Sequence, residues 1–360
     1  MSDPRPILIA AGGTGGHVYP ALAIAERLRE RGVPVVWLGT RSGMEANAVP
    51  AAGFPVEWVS VVGLRGKTLV QRLLAPLRLL RACLQTWRVV SRHRPAGVLG
   101  MGGFVAAPGS LLAILRRLPL ILHEQNSVAG LTNRLFSRFA TRVFTAFPNV
   151  LDGHKLTQCV GNPVRKEVVE IAEPAVRLGE RNDESKPRLL VVGGSRGARV
   201  LNQTMPLALE AIGIECEVRH QCGVADLEET RSLYSDRHIG ADVQAFIDDM
   251  ASAYSWADLV VCRSGAMTVT ELAAAGVASV LVPYPYAVDD HQTGNAKWLS
   301  CADAAVLLPQ SELDPAHLAD ILGSLLQDRS RLLDMSLSAR SLYHAGAAER
   351  VADALQEVAL

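Results

Sequence analysis

The chain has 360 residues, 36 basic and 36 acidic side chains and a formal net charge of zero; 49% of it is hydrophobic and 20% charged. That length exceeds one ordinary core and predicts two domains, and the neutral total argues against a general nucleic-acid-binding surface. Six cysteines, at 83, 159, 216, 222, 262 and 301, form no CxxC pair and no ligand-spaced cluster with histidine, so neither zinc nor a disulfide framework is indicated and a reducing cytoplasm is expected.

The start, MSDPRPILIAAGG, lacks the basic and apolar regions of a signal peptide and runs directly into a strand, so export is not expected. Ile7 to Ala11 is a short apolar run ending in Gly12-Gly13-Thr14-Gly15-Gly16-His17. A helical pattern from Pro20 to Arg31 and a strand at Val35 to Leu38 come next. Strand, glycine loop, helix and strand make a βαβ opening. It is not a dinucleotide fingerprint. The position that should hold the last glycine is Val18, the second strand ends in Gly39-Thr40-Arg41 without an acid, and no Walker lysine is present.

Between Glu57 and Glu124 no acidic residue occurs, while Arg65, Lys67, Arg72, Arg78, Arg81, Arg88, Arg92, Arg94, Arg116 and Arg117 all fall there. From Leu64 to Arg94, leucines 69, 73, 74, 77, 80 and 84, Trp87 and Val90 recur near helical spacing among these arginines. An unopposed basic and apolar stretch predicts contact with an anionic membrane surface through region 64–94.

Gly97 to Leu115 is uncharged and close to the ~20 residues that span a bilayer. Five glycines and Pro108 argue instead for a strand at Gly97 to Leu99, a loop Gly100-Met101-Gly102-Gly103-Phe104 and a helix. A further strand, Leu120 to Leu122, ends in His123-Glu124-Gln125-Asn126. Three strand ends bearing glycine or polar residues suggest a shared ligand site, because ligands of parallel α/β sheets sit at the carboxyl ends of strands.

Gly161-Asn162-Pro163 and the charged run Arg165 to Pro187, read as strandless, mark a domain boundary and linker. The pattern then restarts: Arg188 to Val192 leads into Gly193-Gly194-Ser195-Arg196-Gly197-Ala198-Arg199, an echo of the first glycine loop. Strands are expected at Glu217 to His220, Asp242 to Ala245 and Ser279 to Val282. Between the last two, VVCRSGAMTVTELAAAG at Val260 to Gly276 reads as a strand, a turn and a helix start suited to phosphate, with Glu271 one turn in. An amphipathic pattern, Ala347 to Val358, closes the chain. The expected division is an N-terminal domain 1–163, onto which a helix within 342–360 packs back, and a C-terminal domain 164–341.

GGTGGH, GLRGK, GMGGF, HEQN, GNPVR, GGSRGAR, FIDDM, CRSGAMTVTE and DDHQTGNA occur here in the order found in the MurG family. This family comprises bacterial UDP-N-acetylglucosamine:N-acetylmuramyl-(pentapeptide)-pyrophosphoryl-undecaprenol N-acetylglucosamine transferases. The resemblance covers nearly the whole chain. It implies an α/β fold of the GT-B type, two doubly wound Rossmann-like domains facing across a cleft, with the donor held mainly by the second domain and the lipid-linked acceptor by the first. The reaction implied is inverting transfer of GlcNAc from UDP-GlcNAc to lipid I, giving lipid II in peptidoglycan biosynthesis, at the cytoplasmic face of the bacterial inner membrane, with cell-wall synthesis proteins as further partners and no nucleic acid.

Carried over residue by residue, the resemblance implies that Thr14, Gly15, Gly16 and Asn126 lie near the donor sugar and phosphates. Arg165 and Ser195 would hold the nucleotide or its pyrophosphate, and Ile247 the uracil through its backbone. Ala266, Met267, Thr268, Val269, Thr270 and Glu271 would cradle phosphate and ribose, Glu271 on the ribose hydroxyls, and Gln292 would bond the GlcNAc hydroxyls. The sequence contains no Asp-x-Asp motif, so UDP departure without a metal or other cofactor is expected. The attacking hydroxyl needs a base, and a histidine titrates in the right range. His17 is the first candidate, with Glu124 and His123 in reserve. The alternatives are another UDP-sugar-dependent glycolipid glycosyltransferase or a UDP-GlcNAc 2-epimerase of the same fold.

Overall fold

A computed structural model describes residues 4–61, 75–153, 156–179, 185–194 and 198–359. The chain divides into two compact units, Met1–Val164 with His344–Leu360, and Arg165–Tyr343.

The first unit is built on a seven-stranded parallel sheet of order β3-β2-β1-β4-β5-β6-β7. Its strands are β1 (Ile7–Ala10), β2 (Val35–Gly39), β3 (Val56–Trp58), β4 (Gly97–Gly100), β5 (Leu120–Glu124), β6 (Arg142–Thr145) and β7 (Thr157–Cys159). β1, β2, β4 and β5 are buried along their whole length, as strands covered by helices on both faces must be. The chain lays down β1, β2 and β3 toward one edge and then returns to place β4 on the other side of β1. The reversal point therefore lies between β1 and β4, the place where ligands of open parallel α/β sheets bind.

The uncharged segment 97–115 is β4 followed by the helix Gly103–Leu115, and among the described residues no helix is long and apolar enough to cross a membrane. The helix Ala75–His93 packs beside it, while residues 62–74 of the basic stretch lie outside the described set. The C-terminal helix Ala347–Ala359 buries Val351, Ala352, Ala354 and Leu355 against the core formed by Ile7, Ala21, Ile24 and Leu28. Ion pairs Arg31–Asp353 (2.6 Å) and Arg27–Glu349 (3.3 Å) fringe that contact. Being partly exposed they contribute little, and the apolar seam holds the helix.

The second unit carries a six-stranded parallel sheet of order β10-β9-β8-β11-β12-β13. It comprises β8 (Arg188–Val192), β9 (Glu217–Gln221), β10 (Ala241–Gln244), β11 (Leu259–Cys262), β12 (Ala278–Leu281) and β13 (Ala305–Leu307). Here the reversal point lies between β8 and β11, the strands that lead into the second glycine loop and the Arg263-Ser264-Gly265 turn. The run expected to be a strandless linker, Arg165 to Pro187, belongs to this unit up to its described end and holds two short helices, Lys166–Val169 and Pro174–Gly179. Arg177 of the latter is buried and donates to the carbonyls of Ala257 (2.7 Å) and Gly276 (2.6 Å), fastening the segment under the sheet. The sheet interior also encloses a polar knot: His220 bonds Tyr234 (2.9 Å) and Asn202 (3.1 Å), and burial pushes its imidazole down to about 3, so it stays neutral. All six cysteines are free.

Candidate functional site

In the first unit the loop after β1 carries Gly12 to Gly16 into the helix Gly15–Glu30, which begins well before the Pro20 predicted for it. Pro20, the sixth residue of that helix, lies inside it and leaves the Gly16 carbonyl without the amide that would otherwise bond it. Thr14 is the N-cap, in extended conformation and without a side-chain capping bond, and no acidic residue occupies the first turn. The positive end of the helix therefore keeps its field for an anion. Gly13 turns the chain at φ +93°, which favours glycine.

Beneath this loop lies a residue that the sequence did not mark. Glu45 is fully buried, and its carboxylate accepts from Thr40 N–H (2.9 Å), Thr40 Oγ1 (2.6 Å) and Gly13 N–H (2.8 Å). A Cβ on Gly12 or Gly43 would collide with this carboxylate. The glycines thus let a buried acid brace the loop from below.

At the end of β5, His123 is fully buried, its Nε2 bonds the carbonyl of Gly161 at 3.0 Å, and burial lowers its pKa to about 4. Glu124 is also buried, and its carboxylate accepts from Asn126 N–H (3.0 Å), Gly130 N–H (3.0 Å) and the amides of Asn133 (2.8 Å) and Asn126 (3.4 Å). His17 is half-buried in the first turn of its helix, and its Nδ1 lies 2.8 Å from Oε1 of Gln125. Its Nε2 edge faces the loop after β4, where a Cβ on Gly103 would come within 3.4 Å. The structure thus brings Thr14, Gly15, Gly16, His17, His123, Glu124 and Asn126 to the carboxyl ends of β1 and β5.

In the second unit, the helix Ala266–Ala275 starts from Gly265 directly after β11, again without an acid in its first turn. Ala266, Val269 and Thr270 turn inward, while Met267 and Thr268 stay half-buried on the outer side. Ser264 Oγ donates to the carbonyl of Gln292 (2.8 Å) and Asn295 donates to that of Ser264 (3.1 Å), which ties this turn to the helix His291–Ser300. Gln292 is half-buried near the start of that helix, with Oε1 accepting from Tyr284 N–H at 2.9 Å.

Glu271 is 8% exposed and receives Arg165 on Oε1 (3.0 Å) and Tyr254 on Oε2 (3.3 Å). Burial raises its pKa, with Arg165 opposing the rise. Tyr254, itself fully buried, is a second residue that sequence reasoning missed; one tyrosine in a short helix carries no periodic signal. Ile247 lies in the loop after β10 at the sheet edge, its side chain buried. Ser195 lies outside the described residues; the adjoining Gly194 holds φ +81° and its carbonyl receives Gln221 Nε2 at 3.2 Å.

Two parallel sheets, each with a glycine loop and an uncapped helix start at its reversal point, are matched by the family comparison. The glycosyltransferase family 28 N-terminal domain covers residues 7–145 and the family 28 C-terminal domain covers residues 188–358. The chain belongs to glycosyltransferase family 28. It is 55% identical over 350 residues to the UDP-N-acetylglucosamine--N-acetylmuramyl-(pentapeptide) pyrophosphoryl-undecaprenol N-acetylglucosamine transferase of Alkalilimnicola ehrlichii, covering 96% of this chain and 97% of that one. The protein of the same description from Methylococcus capsulatus is 51% identical over 360 residues, with 99% of both chains covered. Among solved structures, Acinetobacter baumannii MurG superposes with a TM-score of 0.85 at 40% identity over 98% of this chain and 100% of that one. Within the family the chain is therefore one of the MurG transferases, with the GT-B fold expected from its motifs.

Proposed function

We propose that the protein transfers N-acetylglucosamine from UDP-GlcNAc, with inversion, to the C4 hydroxyl of N-acetylmuramic acid in the undecaprenyl-pyrophosphoryl pentapeptide acceptor, lipid I, giving lipid II and UDP. The full-length likeness to transferases named for this reaction carries the proposal. The alternatives of a 2-epimerase or another glycolipid transferase find no such support. In the step itself the acceptor oxygen attacks the anomeric carbon, the bond from that carbon to the UDP phosphate breaks, and the hydroxyl proton passes to a base.

Geometry favours His17 as that base. His123 has its Nε2 engaged and is held neutral by burial, and the carboxylate of Glu124 is surrounded by four donors. The other half of the chemistry is departure of UDP. Backbone donors at the start of Ala266–Ala275 suit its phosphates, Glu271 and Arg165 its ribose and charge, and Gln292 the sugar hydroxyls. Ile247 is assigned the uracil through its backbone, Ser195 the pyrophosphate, and Thr14, Gly15, Gly16 and Asn126 the sugar and phosphates of the donor. The test is UDP release with a short-chain lipid I analogue. Acceptor-dependent release with UDP-GlcNAc and little with UDP-glucose is expected, and release independent of acceptor would sink the reading.

The same reading makes the protein peripheral to the cytoplasmic face of the bacterial inner membrane. Leu77, Leu80, Leu84 and Trp87 stand exposed on the helix Ala75–His93, interleaved with exposed Arg78, Arg81 and Arg88. Leu115, Arg116 and Arg117 are likewise exposed at the end of the neighbouring helix. Apolar side chains among cations suit the boundary between acyl chains and anionic headgroups. Each arginine near such a surface contributes ~1 kcal/mol, so the triple replacement Arg78→Gln, Arg81→Gln, Arg88→Gln should weaken binding to phosphatidylglycerol-containing vesicles on the order of 100-fold. Cosedimentation measures this, and unchanged binding would remove the surface from consideration.

A further inference from the structure

Four residues of the first unit form a continuous hydrogen-bond chain whose direction can be deduced. At its far end is the carbonyl of Gly161, which can only accept; His123 Nε2 at 3.0 Å must therefore carry the proton. His123 is neutral, because burial lowers it to about 4, so its Nδ1 is bare and accepts. The atom that reaches Nδ1 is Nε2 of Gln125, at 3.1 Å. That same nitrogen lies 3.0 Å from the carbonyl oxygen of His123, a second acceptor, so the orientation of the Gln125 amide is determined twice over. Its oxygen then points the other way, 2.8 Å from Nδ1 of His17. An amide oxygen accepts only, so His17 must donate from Nδ1.

We infer that Gln125 is a positioning residue that holds neutral His17 in its Nδ1–H tautomer, leaving Nε2 bare to receive a proton. The inference rests on the reading of His17 as the base for the acceptor hydroxyl. Gln125 itself touches no substrate in this scheme; it acts through His17.

The surroundings make the chain rigid enough for that task. Gln125 is 1% exposed and His123 fully buried, so water does not compete for their bonds. The backbone carbonyl of Gln125 receives Asn162 Nδ2 at 3.0 Å, and the carbonyl of His123 receives Asn133 Nδ2 at 3.1 Å. Gly161 sits at φ +86° with His344 packed against it so closely that a Cβ there would lie 2.8 Å from that of His344. Asn162, Asn133 and His344 thus fix the ends from which the polarity of the chain is set.

The deciding measurement is direct. In the full chain labelled with 15N-histidine, long-range proton–nitrogen correlation separates a protonated from a bare ring nitrogen, and loss of one ring's signals in His17→Gln assigns His17. The wild type should show His17 with its proton on Nδ1 at a pH where the ring is neutral. In Gln125→Leu that preference should be lost, and kcat for acceptor-dependent UDP release should fall roughly 10-fold, the bias one hydrogen bond supplies, with KM for UDP-GlcNAc unchanged. Gln125→Glu, which keeps an oxygen toward His17 and in its carboxylic-acid form an O–H donor toward His123 Nδ1, should retain the Nδ1–H form, and it carries the comparison if the leucine variant does not fold. A wild-type His17 protonated on Nε2, or a Gln125→Leu protein with unaltered tautomer and kcat, overturns the inference. The two readings fail separately: a protein without transferase activity would refute the transfer, while the tautomer of His17 would still be read from the spectrum.

Discussion

His17→Ala is expected to lower kcat for acceptor-dependent UDP release by ~10²–10⁴-fold, the range that one well-placed proton acceptor supplies. Donor affinity, measured by calorimetric titration of UDP, should hardly change. His17 occupies the first turn of Gly15–Glu30, where its backbone N–H bonds the carbonyl of Thr14 at 3.1 Å and where alanine sustains helical geometry at least as well. The brace from Glu45 to Gly13 does not involve the imidazole and should survive. A loss confined to kcat therefore reports proton transfer and not collapse of the glycine loop. If the variant keeps more than about a tenth of the activity, below the loss that general-base catalysis predicts, another group must take the proton. Neither reserve is well placed for that: Glu124 is ringed by donors and His123 has its Nε2 spent on Gly161.

The parts of this architecture legible in the sequence are those where burial is uniform. β1, β4 and β11 are apolar along their length because helices cover both faces, and glycine or a polar turn comes after each, so strand, loop and helix start could be placed from residue types alone. β3 and β7 were invisible for the converse reason. Val56-Glu57-Trp58 and Thr157-Gln158-Cys159 are three-residue edge strands, partly exposed, with no alternation long enough to register. The segment after Arg165 read as a linker because helices of four and six residues cannot display a period, yet Arg177 is drawn under the sheet by two carbonyls.

Roles in the candidate site divide in the same way. HEQN was recognisable as a motif, but the task of its Gln125 depends on His17, 108 positions earlier, and on a carbonyl contributed by Gly161. Glu45 had no motif at all. Its meaning lies in three donors gathered by the fold, two of them from Thr40 and one from Gly13, which a reading of local pattern cannot assemble.

Glu271→Gln should separate donor recognition from stability, moving them in opposite directions. A carboxylate accepting from ribose hydroxyls makes charge-assisted bonds worth ~1.5–3 kcal/mol, so the variant should bind UDP about 10–100-fold more weakly. Wild type should also prefer UDP to 2′-deoxy-UDP, a preference the variant should largely lose. The carboxylate is buried, and desolvation raises its pKa despite Arg165 at 3.0 Å. A carboxyl whose folded pKa lies above its unfolded value gives stability that is fully present below the ordinary carboxyl range, near ~4.3, and is lost as pH rises through the folded pKa. Glutamine has no proton to lose. The denaturation midpoint of Glu271→Gln relative to wild type should therefore climb as pH is raised from acid toward neutral. A parallel fall in stability and affinity at neutral pH would instead identify the Arg165–Glu271 pair as structural, and equal affinity for UDP in both proteins would remove Glu271 from the ribose. Weaker binding in a sturdier protein is the signature of a buried charge held in place for a ligand, against the local cost of burying it.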